Sequence, residues 1–234
     1  MSRLAATIRL DLRLQVRNGF YHAVAFVLLC WLVLLTQLPE FDWGYLLPAI
    51  VFGNLVMVNF YFVAGMLLLE NSEGTLEAQV VTPLSSWEYL ASKTVTLAGL
   101  ALIEQFVIVW AAYGSGFAGP PLVTGTVLAA ILYTLAGFVL VVRYESINEY
   151  LFPSVLFVML LSLPLLHYFD LWDTWLLYLH PLRAPLVLLT GAFRPIPPWQ
   201  YAYGVLYSLL WSALLLVASR RSFDHSVVNR NGSR

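Results

Sequence analysis

Glu104 is the one acidic residue deep inside a long apolar run, in the stretch from Val95 to Val109. An acidic side chain at mid-membrane costs on the order of 3 kcal/mol, and each strongly apolar neighbour returns roughly 0.3–0.6 kcal/mol. Nine such neighbours in this stretch offset the cost. A carboxyl held there suits binding of a cationic substrate or relay of a proton. The structural alternative, slightly preferred, is a protonated Glu104 that hydrogen-bonds, with Gln105, to a neighbouring helix. The second concentration of ionisable groups is the polar island Glu70-Asn-Ser-Glu-Gly-Thr-Leu-Glu77, continued by Val80-Val-Thr-Pro-Leu-Ser-Ser-Trp-Glu88. Glu73 and Glu77 fall one helical turn apart, while Leu76 and Val80 share a face, which is the chemistry of a docking surface.

Enzymatic chemistry finds no footing. Lys93 is the only lysine, and no Gly-x-x-x-x-Gly-Lys-Ser/Thr phosphate loop is present. Tyr113-Gly-Ser-Gly116 lacks the first glycine of a nucleophile elbow. His22, His167, His180 and His225 are too dispersed to suggest a local metal site, and no metal ligands are expected. Cys30, the single cysteine, lies inside the first apolar run and has no partner for an internal disulfide. Nothing points to nucleic acid.

The elements around these residues are set by composition. Of 234 residues, 60% are hydrophobic and 11% charged, against about a quarter charged in soluble domains. Six apolar runs, at 20–38, 44–69, 94–115, 122–142, 151–169 and 199–219, reach the length of about 20 residues that crosses a bilayer. The first run is too long for a signal-peptide core and lacks a small-residue cleavage site, so it reads as a retained span. Six spans put both termini on one side. Ten basic residues then share that side and Arg183 and Arg194 face the other, so both termini are expected in the cytoplasm.

Residues 2–18 read as an amphipathic helix, with Leu4, Ile8, Leu12 and Val16 on one stripe and Arg9, Arg13 and Arg17 on another. It suits either a basic interfacial anchor or a partner-binding helix. The island, within 70–93, reads as an elbow. One short helix runs from Thr75 to Val81, Pro83 stops it, and Ser85 with Glu88 forms a capping box that opens the third span. Between spans five and six, 170–198 is apolar but interrupted by His180-Pro181, Arg183 and Pro185. Two half-inserted helices on the outer side are expected in place of a seventh span.

In span two, Asn54 and Tyr61 share a helical face with Met57 less closely, and Asn59 points about 140° away from Asn54. Asn54 and Tyr61 are therefore the candidates to line a cavity, and Asn59 is structural. Span five carries Pro153, Ser154, Ser162 and Pro164, a pattern for a bend. Ser154 and Ser162 join the candidate pathway.

The sequence Glu70-x-x-Glu73-Gly74-Thr75-Leu76-Glu77, followed by Val81-Thr82-Pro83-Leu84-Ser85 and Lys93, resembles the first cytoplasmic loop of type-2 ATP-binding-cassette exporter permeases. Ile8-Arg-Leu-Asp-Leu-Arg-Leu-Gln-Val-Arg-Asn-Gly-Phe-Tyr21 and Tyr178-x-His-Pro181-x-x-Ala-Pro185 look most like the fluoroquinolone or multidrug export subgroup. The resemblance covers nearly the whole chain. It implies a single all-α integral membrane domain, 1–234, with an amphipathic connecting helix, six transmembrane helices, a cytoplasmic coupling helix and re-entrant helices. It also implies that Glu70, Glu73, Gly74, Thr75, Leu76, Glu77, Val80 and Pro83 contact a separate ATPase, which holds ATP and Mg; this chain binds no cofactor. Spans two and five of two permease chains, identical or paralogous, would line the route of a hydrophobic or amphipathic small molecule out through a prokaryotic plasma membrane. The rivals are a proton-coupled carrier using Glu104, a lipid exporter and a non-transporting scaffold.

Overall fold

A computed structural model describes residues 3–37, 42–75 and 85–231. All regular structure among these residues is helical. In chain order the helices are α1 (Arg3–Arg17), α2 (Phe20–Gln37), α3 (Trp43–Leu55), α4 (Phe62–Ser72), α5 (Ser86–Tyr113), α6 (Gly119–Val141), α7 (Ile147–Leu161), α8 (Pro164–Tyr168), α9 (Arg183–Thr190) and α10 (Pro198–Asn231). A π-helical segment, Val56–Tyr61, joins α3 to α4, and a 3₁₀ turn, Trp175–Leu179, precedes α9. Five helical stretches are each long and apolar enough to cross a bilayer, and the pair Arg3–Arg17 with Phe20–Leu35, bent by 62°, makes up to six. The bend falls at Gly19, whose φ of 78° lies where a side chain would be strained.

The N-terminal helix turns its polar side inward. Thr7, Asp11 and Gln15 follow at four-residue intervals and are buried, whereas Leu12 and Val16 are exposed. The leucine stripe is thus left for lipid, and a polar stripe is packed on α5.

Helix α6 is the hub. Of its apolar stretch 72% is buried, against 22% for Ile147–Tyr168 and 17% for Pro198–His225. The last two stretches therefore form outer walls that leave broad apolar faces uncovered. Close approach to α6 needs small residues, as membrane helix packing commonly does. A Cβ on Gly137 would stand 2.8 Å from the Phe60 carbonyl oxygen, and one on Gly125 would stand 3.0 Å from Leu189 N. At the first contact Asn59 Nδ2 donates to Thr134 Oγ1 at 3.2 Å, so the π segment is clamped against α6.

The interval between the last two long stretches is not a span. Its helical pieces are five and eight residues long, about 12 Å of α-helix for the longer, far below the bilayer thickness. Ala184 to Leu189 are buried between α6 and α10. Gly204 admits α9, since a Cβ there would meet Leu188 Cγ at 2.5 Å. Pro164 has the expected effect on span five: α7 ends at Leu161, Ser162 caps it, and α8 restarts at the proline, which can neither donate to nor fit against the preceding turn.

Candidate functional site

The roots of the polar island meet in a buried charge cluster. Leu76, Glu77, Val80 and Pro83, with the rest of 76–84, lie outside the described residues, so the Thr75–Val81 helix does too. The first root is α4, which ends with Glu73 as cap and Gly74 at φ 68°. Gly74 N donates to Asn71 O at 3.1 Å, a left-handed helix stop of the kind glycine favours. Thr75 Oγ1 turns back to Glu70 O at 3.0 Å. The second root is α5, opened by Ser85 and Glu88. Glu88 N donates to Ser85 Oγ at 3.3 Å, and Ser85 N to Glu88 Oε2 at 3.0 Å, a complete capping box.

Lys93 Nζ lies 2.5 Å from Glu70 Oε1 and 3.1 Å from Asp11 Oδ1. Each carboxylate has a second donor: Tyr89 OH to Glu70 Oε2 and Ser92 Oγ to Asp11 Oδ2, both at 2.5 Å. The Tyr89 ring also stands under the ammonium, 4.5 Å away. Gln15 Nε2 extends the network to Thr96 Oγ1 at 2.9 Å. All these groups are buried. One cation between two carboxylates leaves a formal surplus of negative charge, which the two hydroxyl donors help to hold. The cluster ties α1, α4 and α5 together at the base of the island.

Glu70 and Lys93 stand in the loop pattern of the sequence, whereas Asp11 is hidden among arginines. Its signal was the polar Thr7, Asp11 and Gln15 spacing, which in an apolar chain marks a face turned toward protein. Glu73 is outside the cluster. Its carboxylate accepts two hydrogen bonds from Arg17 Nη2, each at 2.9 Å, and both partners are well exposed.

A second polar cluster lies in the spans. Glu104 and Gln105 of α5 are buried, and Asn54 of α3 faces Glu104. Trp31 Nε1 of α2 donates to Asn54 Oδ1 at 3.4 Å. The Asn54 side chain approaches Glu104 as its hydrogen-bonding neighbour across the α3–α5 contact, while both polar atoms of the Gln105 side chain have no partner in the protein.

The remaining candidates separate. Asn54 is buried, Tyr61 is partly buried and Met57 is 39% exposed. The π segment Val56–Tyr61 lies between Asn54 and Tyr61, so the 3.6-residue repeat does not run unbroken from one to the other. Tyr61 packs edge-on to Tyr150 of α7. Ser154 is buried and returns its hydroxyl to Leu151 O at 2.7 Å. Ser162 serves as the cap of α7. Among the described residues, no group of three or more His, Cys, Asp or Glu side chains could hold a metal ion.

Apolar crossing helices around an α6 hub, with polar clusters confined to helix roots and one intramembrane layer, define a multi-pass helical membrane protein. A family model described as the fluoroquinolones export permease protein family matches residues 2–231, and the chain belongs to that family. Relatives named fluoroquinolones export permease protein, from Mycobacterium tuberculosis strains CDC 1551 / Oshkosh and ATCC 25618 / H37Rv, are each 37% identical over 235 residues. The match covers 99% of this chain and 99% of each relative.

Proposed function

We propose that this chain is the membrane subunit of an ATP-driven exporter that moves amphipathic, drug-like molecules out of the cell. The observation that carries the reading is family membership across nearly the whole chain, with relatives named for fluoroquinolone export. The chain's sole lysine is committed to the buried cluster with Asp11 and Glu70. Phosphate-loop chemistry then falls to a separate ATPase. Docking falls to the island: Leu76 and Val80 would fill an apolar cleft, and Glu77 would meet basic residues at its rim. Glu70, through Lys93, anchors that island to α1 and α5, so a push on the loop reaches the spans. Gly74 and Thr75 shape its start and Pro83 its end.

The outer walls on Ile147–Tyr168 and Pro198–His225, largely uncovered in one chain, support pairing with a second permease chain, identical or paralogous. Both termini and the island face the cytoplasm of a prokaryote in this reading. The cargo passes near Asn54, Tyr61, Ser154 and Ser162. The test is accumulation of a fluorescent fluoroquinolone in cells expressing the chain with its ATPase. ATP depletion should raise accumulation, and collapse of the proton gradient at constant ATP should leave it low.

One observation favours a second reading. The Glu104 carboxyl is buried inside a span with no cation paired to it among the described residues, the arrangement a proton-coupled carrier would use. That carrier would lose transport on Glu104→Gln and on collapse of the proton gradient, with ATP irrelevant.

A further inference from the structure

At the end of the bundle opposite the charge cluster, a cavity of about 250 Å³ opens beside Tyr45, Tyr168, Tyr178 and Arg183. The separation is large: Tyr45 and Glu70 sit near opposite ends of the 30-residue stretch Trp43–Ser72, about 45 Å long at 1.5 Å per residue.

The charges around it are unequal in kind. Arg194 is neutralised by Asp42, 2.5 Å away, and lies over the Tyr45 ring. His167 Nδ1 stands 3.6 Å from Asp173 Oδ1. Arg183 is different. No carboxylate of the described residues pairs with it, and its Nε is buried without a hydrogen-bond partner. Its guanidinium sits over the Tyr178 ring at 5.2 Å. An unpaired guanidinium presents a planar fork of donors. Helix α9 carries it, and the buried run Ala184 to Leu189 fixes that helix in place.

Tyr45 and Tyr168 offer rings to the cavity, since their hydroxyls are spent on each other's backbone. Tyr45 OH donates to Tyr168 O at 3.4 Å, and Tyr168 OH to Tyr45 O at 2.7 Å. Asp170 also lines the cavity; it repels any anion, a dianion more strongly than a monoanion, and the Arg183 fork must outweigh it. The volume falls below the roughly 300–1,000 Å³ of pockets that enclose a drug-sized ligand. It suits one ring and its acid group.

We propose that this cavity binds an aromatic monocarboxylate, the carboxylate on the Arg183 fork and the ring against the tyrosine side chains that line the cavity. A phosphodiester lipid headgroup is also a monoanion and is the competing source of the same charge. The proposal is independent of ATP and of transport direction.

The test uses the full chain in nanodiscs of phosphatidylcholine, with benzoate as probe and ligand-observed NMR or calorimetry as readout. Benzoate should bind, and benzamide, its neutral counterpart, should bind about tenfold more weakly or worse. Arg183→Gln should remove benzoate binding, while Arg183→Lys should retain part of it. Equal binding of benzoate and benzamide to the unaltered chain overturns the proposal, and this arm depends on no variant. Unchanged benzoate binding in Arg183→Gln overturns it as well. The comparison is repeated in nanodiscs containing phosphatidylglycerol. Binding that persists there supports a carboxylate site; binding abolished by the anionic lipid identifies a headgroup site and overturns the carboxylate proposal.

Discussion

Lys93 and Glu70 clasp the two roots of the polar island, Nζ to Oε1 at 2.5 Å, in a position where both are buried. The island therefore leaves and re-enters the bundle at one fixed point, and Asp11 attaches the N-terminal helix to the same point. The cluster thus joins α1, α4 and α5 at the base of the island.

Removing the lysine should be severe. Lys93→Met leaves two buried carboxylates without their cation, a change that typically costs about 3–5 kcal/mol. Thermal unfolding in detergent should show a large loss for this variant. The triple variant Asp11→Asn, Glu70→Gln, Lys93→Met removes the charges together and should recover much of that loss.

The exposed pair predicts the contrary. Arg17 and Glu73 meet in water-accessible geometry, where such pairs contribute about 0.2–1 kcal/mol. Arg17→Gln should shift the unfolding midpoint little, measured beside Lys93→Met under the same conditions.

Glycine contacts around α6 and α9 should be steep and local. Gly137→Ala would put a methyl 2.8 Å from Phe60 O, and overpacking of this kind costs about 1–3 kcal/mol. Gly53→Ala and Gly99→Ala meet nothing within 4 Å and should be neutral or slightly stabilising. Unfolding curves of the three variants give the comparison.

Glu104→Gln nearly preserves shape and keeps an acceptor oxygen for Asn54. It should leave stability within about 1 kcal/mol of the parent. For an ATP-driven permease, drug accumulation should also stay low. Loss of efflux in a well-folded Glu104→Gln protein would favour the carrier.

Much of the architecture was legible because it rests on simple periodicities. The apolar runs predicted the crossing helices, Ser85 and Glu88 predicted the capped restart, and Arg183 with Pro185 predicted a short, uncrossing helix. The candidate site was legible only in part. Glu70 and Lys93 stood in the loop pattern, but their partner Asp11 lies about 80 residues away in sequence, and no local pattern encodes such a contact. The leucine stripe of α1 drew attention away from the polar stripe that is buried. The π segment at Val56–Tyr61 was invisible for another reason. It packs against Gly137 and Thr134 on α6, contacts distant in sequence, so nothing within its own six residues announces the widened turn.

The most direct measurement is co-purification through a tag on this chain, comparing the parent with the double variant Leu76→Asp, Glu77→Arg. The account predicts a phosphate-loop ATPase with the parent and its loss from the variant, while the variant keeps the parent's unfolding curve. An ATPase retained by the folded variant, or none with the parent, would contradict it.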